Sequence, residues 1–241
     1  MSKKTLTGKH QYAEFKNETV ADRVKKCVDL RDSTDITDKH IKLSYGNRKT
    51  GSLVPSVSLI PVADCGHCAM CARGCYAVRA ILCYPESREA LANNSAIAHK
   101  DRKRFFVEVD AALKFLRFFR FFVSGDILDR DFLDGMVRVA ENNPHCQILA
   151  FSKEHEIING YLDEHGCFPS NLHIILSGWR GDTNVNRHNL PVSSPVWKDG
   201  SQSCMVTGKA HWCQGNCTEC AKINEGCWAA GPGDTILFEA H

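Results

Sequence analysis

At 241 residues the chain is long enough for one domain with a full core, or one domain with a small appendage. Hydrophobic residues at 43% and charged residues at 24% exclude a mainly disordered chain, and a net charge of +2 is too small to specify a polyanionic partner. The outlying number is 13 cysteines, an odd count that argues against a closed disulfide framework and for metal or redox chemistry.

The first 41 residues are polar and basic. Residues 1–50 carry 12 Lys/Arg against 7 Asp/Glu. Such a segment could touch nucleic-acid phosphate, although a solvated face is the commoner explanation. No apolar stretch of signal-peptide length follows Met1, and no run approaches the ~18 apolar residues of a membrane span. The expectation is a protein of a reducing cytoplasm with no membrane contact. Val20, Val24 and Val28 recur at helical spacing over 18–30. A strand and turn are expected over 42–51, and a second strand over Ser56–Ile60 leads into the first cysteine group.

That group is Cys65, Cys68, Cys71 and Cys75, spaced C-x2-C-x2-C-x3-C, a spacing used for iron–sulfur ligation. Strand–helix units then recur. Helices are expected over 86–99, 101–116, 129–142 and 154–165, and strands over 118–123, 147–151 and 172–176. Their spacing of about 25–30 residues suits βα units in a parallel sheet. The expected fold is α/β, a partial open (βα) barrel over 42–182, with a Cys-rich C-terminal subdomain over 183–241. Regularity is expected to fade after Asp182, apart from a last strand at Thr235–Glu239.

Ligands of parallel α/β folds gather at the carboxyl ends of strands. Ser124, Gly125, Asp126, Ser152, Lys153, Ser177, Trp179, Arg180 and Asp182 follow the predicted strands, and so share one rim with the cysteine loop. The Arg/Phe-rich run at 115–122 reads as core packing, and as nucleic-acid stacking only in composition. The second cysteine group is Cys204, Cys213, Cys217, Cys220 and Cys227. Zinc and a second iron–sulfur cluster are both open there, since spacing alone does not separate soft-metal sites. Its C-x3-C-x2-C core has the spacing of radical S-adenosylmethionine (SAM) enzymes, but only 21 residues follow Cys220, too few for a barrel.

Several segments together resemble a family of phage-encoded, cysteine-rich proteins that are similar to radical SAM enzymes. They are Asn47–Gly51 ahead of Pro-Ser-Val-Ser-Leu, the Cys71-x3-Cys75-Tyr76-Ala77 loop, Phe122–Asp126, Ala150–Lys153 and Cys227-Trp228. The resemblance implies a [4Fe–4S] cluster at the strand rim. Ser124-Gly125-Asp126 stands where those enzymes carry a Gly-Gly-Glu that binds the SAM amino group. It also implies an enzyme acting in the host cytoplasm on a small-molecule ligand, reduced by flavodoxin or ferredoxin. Asp126 would hold the amine, with Ser152, Ser177, Lys153 and Arg180 at carboxylate or ribose groups. SAM binding needs one iron without a protein ligand, and four thiolates in the first loop would leave none. Either Cys68 serves elsewhere, or both cysteine groups meet on two adjacent clusters or one larger assembly. The alternatives are a SAM-independent electron-transfer protein and a zinc-stabilised nucleic-acid-binding protein.

Overall fold

The computed structural model describes residues 19–46, 50–66, 71–72, 75–179, 185–203 and 208–240, with the side chains of 79–80 and 82–83 outside that description. Cys68, Arg180, Asp182 and Cys204 therefore lie outside the described residues, as does Asn47 of the turn expected at Gly46-Asn47.

Local signals set most helix boundaries. Helix α1 (Val20–Ser33) starts at a reciprocal capping box: Thr19 Oγ1 accepts from Asp22 N at 3.2 Å, and Asp22 accepts from Thr19 N at 3.0 Å. The short helix α2 (Tyr76–Cys83), which the sequence pattern does not announce, leads to α3 (Pro85–Lys100) with proline in its first turn. Asp101 caps α4 (Arg102–Leu113) and Asp129 caps α5 (Arg130–Asn142). Helix α6 (His155–His165) stops at Gly166, whose φ of 78° suits a residue without Cβ.

The strands are β1 (Ser56–Val57), β2 (Phe118–Phe121), β3 (Gln147–Ser152), β4 (Leu172–Ser177), β5 (Val192–Val196), β6 (Ala210–Trp212) and β7 (Thr235–Glu239). All pair in parallel, in the order β1-β2-β3-β4-β5-β7-β6, and the sheet stays open. The expected α/β fold with a partial, open parallel sheet is therefore present. Among the described residues no helix is long and apolar enough to cross a membrane.

Three expectations change. The strand over 56–60 ends at Val57, because the next amides bond elsewhere: Leu59 N to Ser124 O at 3.0 Å, and Ile60 N to the Asp64 carboxylate at 2.9 Å. The segment at 42–46 is no strand but a single antiparallel bridge, Ser44 to Ser56. Regularity also persists past residue 182, where the unexpected strands β5 and β6 join the sheet beside the expected last strand, β7. Pro195 hides one of them from the sequence pattern. It is tolerated because β4 pairs with β5 only at Val192 and Ser193, short of the proline.

Period-two alternation sorts the strand residues between two cores. Phe119, Phe121, Ile148, Ala150, Ile174 and Leu176 face the helices and join a core with Phe105, Phe132 and Met136. Leu149, Ile175 and Ile236, with Phe118 and Phe151 beside them, face the other way and are covered by Ala221, Trp228 and the C-terminal cysteines.

Candidate functional site

The first cysteine loop leaves β1 through a fixed base. Asp64 is buried, and Oδ2 accepts from Ile60 N and from Ser95 Oγ at 2.5 Å, while Oδ1 lies 2.8 Å from His99 Nε2. Its carbonyl accepts Asp126 N at 2.7 Å, which ties the loop to the segment after β2. Val62 and Phe122 both have positive φ, 71° and 60°, unusual for a β-branched and an aromatic residue. Backbone strain is thus concentrated where the chain turns out of β1 and β2. Cys65, Cys71 and Cys75 are half-buried on this loop, and Tyr76 OH donates to Val123 O just beyond.

The second group is built by a different device. Cys213 follows β6, its amide donates to Leu237 O at 2.7 Å, and its sulfur accepts from Gly215 N at 3.4 Å. Asn216 caps α7 (Cys217–Ile223), which carries Cys217 and Cys220 on successive turns. A 3-10 turn (Gly226–Trp228) returns Cys227 to them. Gly226 passes so close that a Cβ would sit 3.5 Å from Cys220 Sγ. Burial, then the neighbouring Cys213 and Cys217, pushes the Cys227 thiol up to about 12, and the same causes raise Cys220. Thiols held this far from ionisation lose their protons when a cation arrives to balance them.

Two latches hold this segment against the sheet. Trp228 is buried between Phe118 (5.2 Å between ring centroids) and His173 (6.1 Å), and its Nε1 donates to Cys217 O at 3.3 Å. From the other end of the chain, Thr218 Oγ1 donates to Thr50 O at 2.9 Å and accepts from Leu53 N at 3.0 Å. Gly51 (φ 68°) permits this contact, since a Cβ there would lie 2.4 Å from Thr218 Oγ1.

Both cysteine groups line one cavity of about 580 Å³ at the carboxyl ends of the strands. Cys71, Cys75, Cys213, Cys217 and Cys227 all belong to its lining, together with Tyr76 and Arg120. Lys153, Ser177 and Trp179, expected at the rim, also line it. Among the described residues no three His, Cys, Asp or Glu side chains are arranged as a metal-ligand group.

Arg120 is the residue the sequence reading missed. It is buried on β2, with Nη1 donating to Cys217 Sγ at 3.4 Å, Nε to Phe122 O at 3.4 Å, and the guanidinium 4.8 Å from the Phe151 ring centroid. The available signal was a lone cation inside Phe-Phe-Arg-Phe-Phe, placed by the period of two on the face opposite Phe119 and Phe121.

Asp126, Ser124, Gly125 and Ser152 do not line the cavity. Asp126 accepts from Ser152 Oγ at 2.6 Å, Lys153 N at 2.9 Å and Ile127 N at 2.8 Å, so its oxygens are spent inside the protein. Ser124 Oγ donates to Leu59 O at 2.8 Å, and a Cβ on Gly125 would lie 2.6 Å from that of Leu59. These residues join strand ends together. Burial pushes the Asp126 carboxyl up to about 6, against the lowering effect of its hydrogen bonds. Its folded pKa is raised, so this contribution to stability is fully present below the unfolded value of 3.8 and is lost as pH rises through about 6. The expected loss is roughly 3 kcal/mol. Denaturation midpoints measured from pH 3.5 to 7.5 should show it, and Asp126→Asn should flatten that part of the profile.

An open, all-parallel α/β sheet with a cysteine-lined cavity at its carboxyl rim defines a cysteine-rich α/β protein. The chain belongs to the Gene product 88 family, whose model matches residues 30–229, a span holding both cysteine groups and both latches. The phage-type family expected from the sequence is thereby met. No curated protein and no solved structure matches the chain.

Proposed function

We propose that this is an iron–sulfur protein, resembling radical SAM enzymes, whose clusters face the shared cavity. The observation that carries this reading is that five thiols from two distant segments line one cavity at the carboxyl ends of parallel strands. Soft thiolate donors suit iron–sulfur clusters and zinc, and the buried Arg120 guanidinium supplies a positive charge beside Cys217. A bound cluster would supply one-electron chemistry to a ligand in the same cavity. Cys65, Cys71 and Cys75, with Cys68, would hold it on one side, and Cys213, Cys217 and Cys227 would place a second cluster, or part of a larger one, opposite. Arg120 and Lys153 favour an anionic centre or ligand, and the Phe151 and Trp179 rings lower the local polarity. Because the Asp126 carboxylate is used internally, an amine-bearing ligand such as SAM would find its acid elsewhere.

A second reading has structural zinc at Cys213, Cys217, Cys220 and Cys227, with iron only in the first loop. It is favoured by Cys220, which packs against the same small core as the other three but does not line the cavity. Iron, sulfide and zinc content of anaerobically purified protein tests both readings. Iron matched by acid-labile sulfide supports the proposal, zinc beside iron supports the second reading, and zinc alone overturns the first. Incubating the iron-loaded protein with SAM and dithionite then tests the resemblance, since absence of 5′-deoxyadenosine would sink a SAM-cleaving role.

A further inference from the structure

We infer that the part of the cavity formed by Lys153, Ser177 and Trp179 binds a small planar molecule bearing a carboxylate or phosphate. The inference rests on this cavity and not on the metal content of the protein.

The register of β3 against β4 pairs Ser152 with Leu176, so Lys153 and Ser177 emerge side by side where the two strands end. Lys153 is held by its backbone, its N–H donating to Asp126 Oδ2 at 2.9 Å, in a network buried under the rim. Its ammonium lies 5.2 Å from the Trp179 ring centroid. Among the described residues it makes no ion pair, and no hydrogen bond to the Ser177 hydroxyl is present. An ammonium and a neighbouring hydroxyl on rigid strand ends, both lining the cavity, form a seat for a carboxylate or phosphate oxygen.

The rest of the wall specifies the remainder of the molecule. Trp179 is braced edge-on by Trp197 at 5.8 Å, and Trp212, half exposed in spite of its size, lines the same cavity with Phe151 and Phe238. Rings on several sides favour a flat, polarisable partner. Charge favours an anion: two cations line the cavity, against one carboxylate, Glu239, at the exposed end of β7. The volume of about 580 Å³ exceeds what a metal centre alone needs and falls among those of small-molecule sites.

The test is calorimetric titration of the purified full chain, as isolated and after metal loading, with AMP, adenosine, indole-3-acetate and inorganic phosphate. The expected result is that AMP or indole-3-acetate binds at least tenfold more tightly than adenosine or phosphate. AMP alone would point to a nucleotide phosphate, and indole-3-acetate alone to an aromatic carboxylate. Lys153→Met should remove that tenfold preference and leave the weaker adenosine binding unchanged, and Trp179→Leu should weaken every ring-bearing probe. Circular dichroism and melting temperature should match the parent, because Lys153 anchors through its backbone. Equal binding of AMP and adenosine, a preference that survives Lys153→Met in a folded protein, or binding of neither anionic probe would each overturn the inference. Anion binding in a metal-free protein would uphold it, while the iron–sulfur reading is decided separately by iron and sulfide content.

Discussion

Arg120→Met is expected to change the protein in opposite directions with and without metal. A buried guanidinium is costly unless an anion balances it, and the neighbours that raise the Arg120 pKa most are Cys217, Tyr76 and Cys227, none of them a carboxylate. If Cys217 is a metal-bound thiolate, removing the cation leaves a buried negative centre without its partner. The expected cost is about 3–5 kcal/mol in the loaded protein, together with faster loss of metal to a chelator. If the group carries neutral thiols, methionine replaces an unbalanced charge with an apolar chain of similar length, and stability is unchanged or rises. Denaturant titrations of loaded and chelator-stripped protein read the two signs. A variant as stable as the parent in the loaded form would show that Cys217 is not part of an anionic centre.

Trp228→Ala carries the second large effect. The indole fills the space between the sheet and α7, touching Phe118 and His173, and its N–H satisfies the Cys217 carbonyl. Truncation to alanine should cost about 3–5 kcal/mol. It should also release α7 from the sheet and bring Cys217 and Cys220 into reach of a thiol reagent. Trp228→Phe keeps most of the buried area and gives up the hydrogen bond, a loss of about 1 kcal/mol. Comparable losses in the two variants would place the stabilisation in the hydrogen bond and contradict the packing argument.

Much of the fold is legible in the sequence because its helices are locally consistent. Asp101 and Asp129 cap where apolar periodicity begins, and Phe132, Leu133 and Met136 keep one buried face. The strands of the first half are apolar runs of adequate length. The later strands are not: Val-Ser-Ser-Pro-Val and Ala-His-Trp carry little hydrophobic signal, and their place comes from pairing with β7 forty and twenty-five residues away. Local pattern contains no trace of such partners.

The site is legible in a similar, partial way. Strand-end position brings Lys153, Ser177 and Trp179 to the cavity, but Asp126 and Ser152 occupy the same kind of position and turn inward to bond one another. Nothing in the residue types separates a polar side chain that greets a ligand from one that ties two loops. Arg120 is hidden for the opposite reason, since a charged residue within a phenylalanine run reads as an exception to a core strand.

The position of β7 in the sheet has a consequence for how the cavity comes into being. Among the described strands, β6, which delivers Cys213, pairs with the sheet through β7 alone, the last strand in the chain order. The contacts that fasten α7 reach back from Thr218 to Thr50, across most of the sequence. One wall of the cavity can therefore close only after both distant partners are in place, and the first cysteine loop must wait beside an incomplete mate. A chain shortened before Thr235 would keep every cysteine and still lack the enclosure around them.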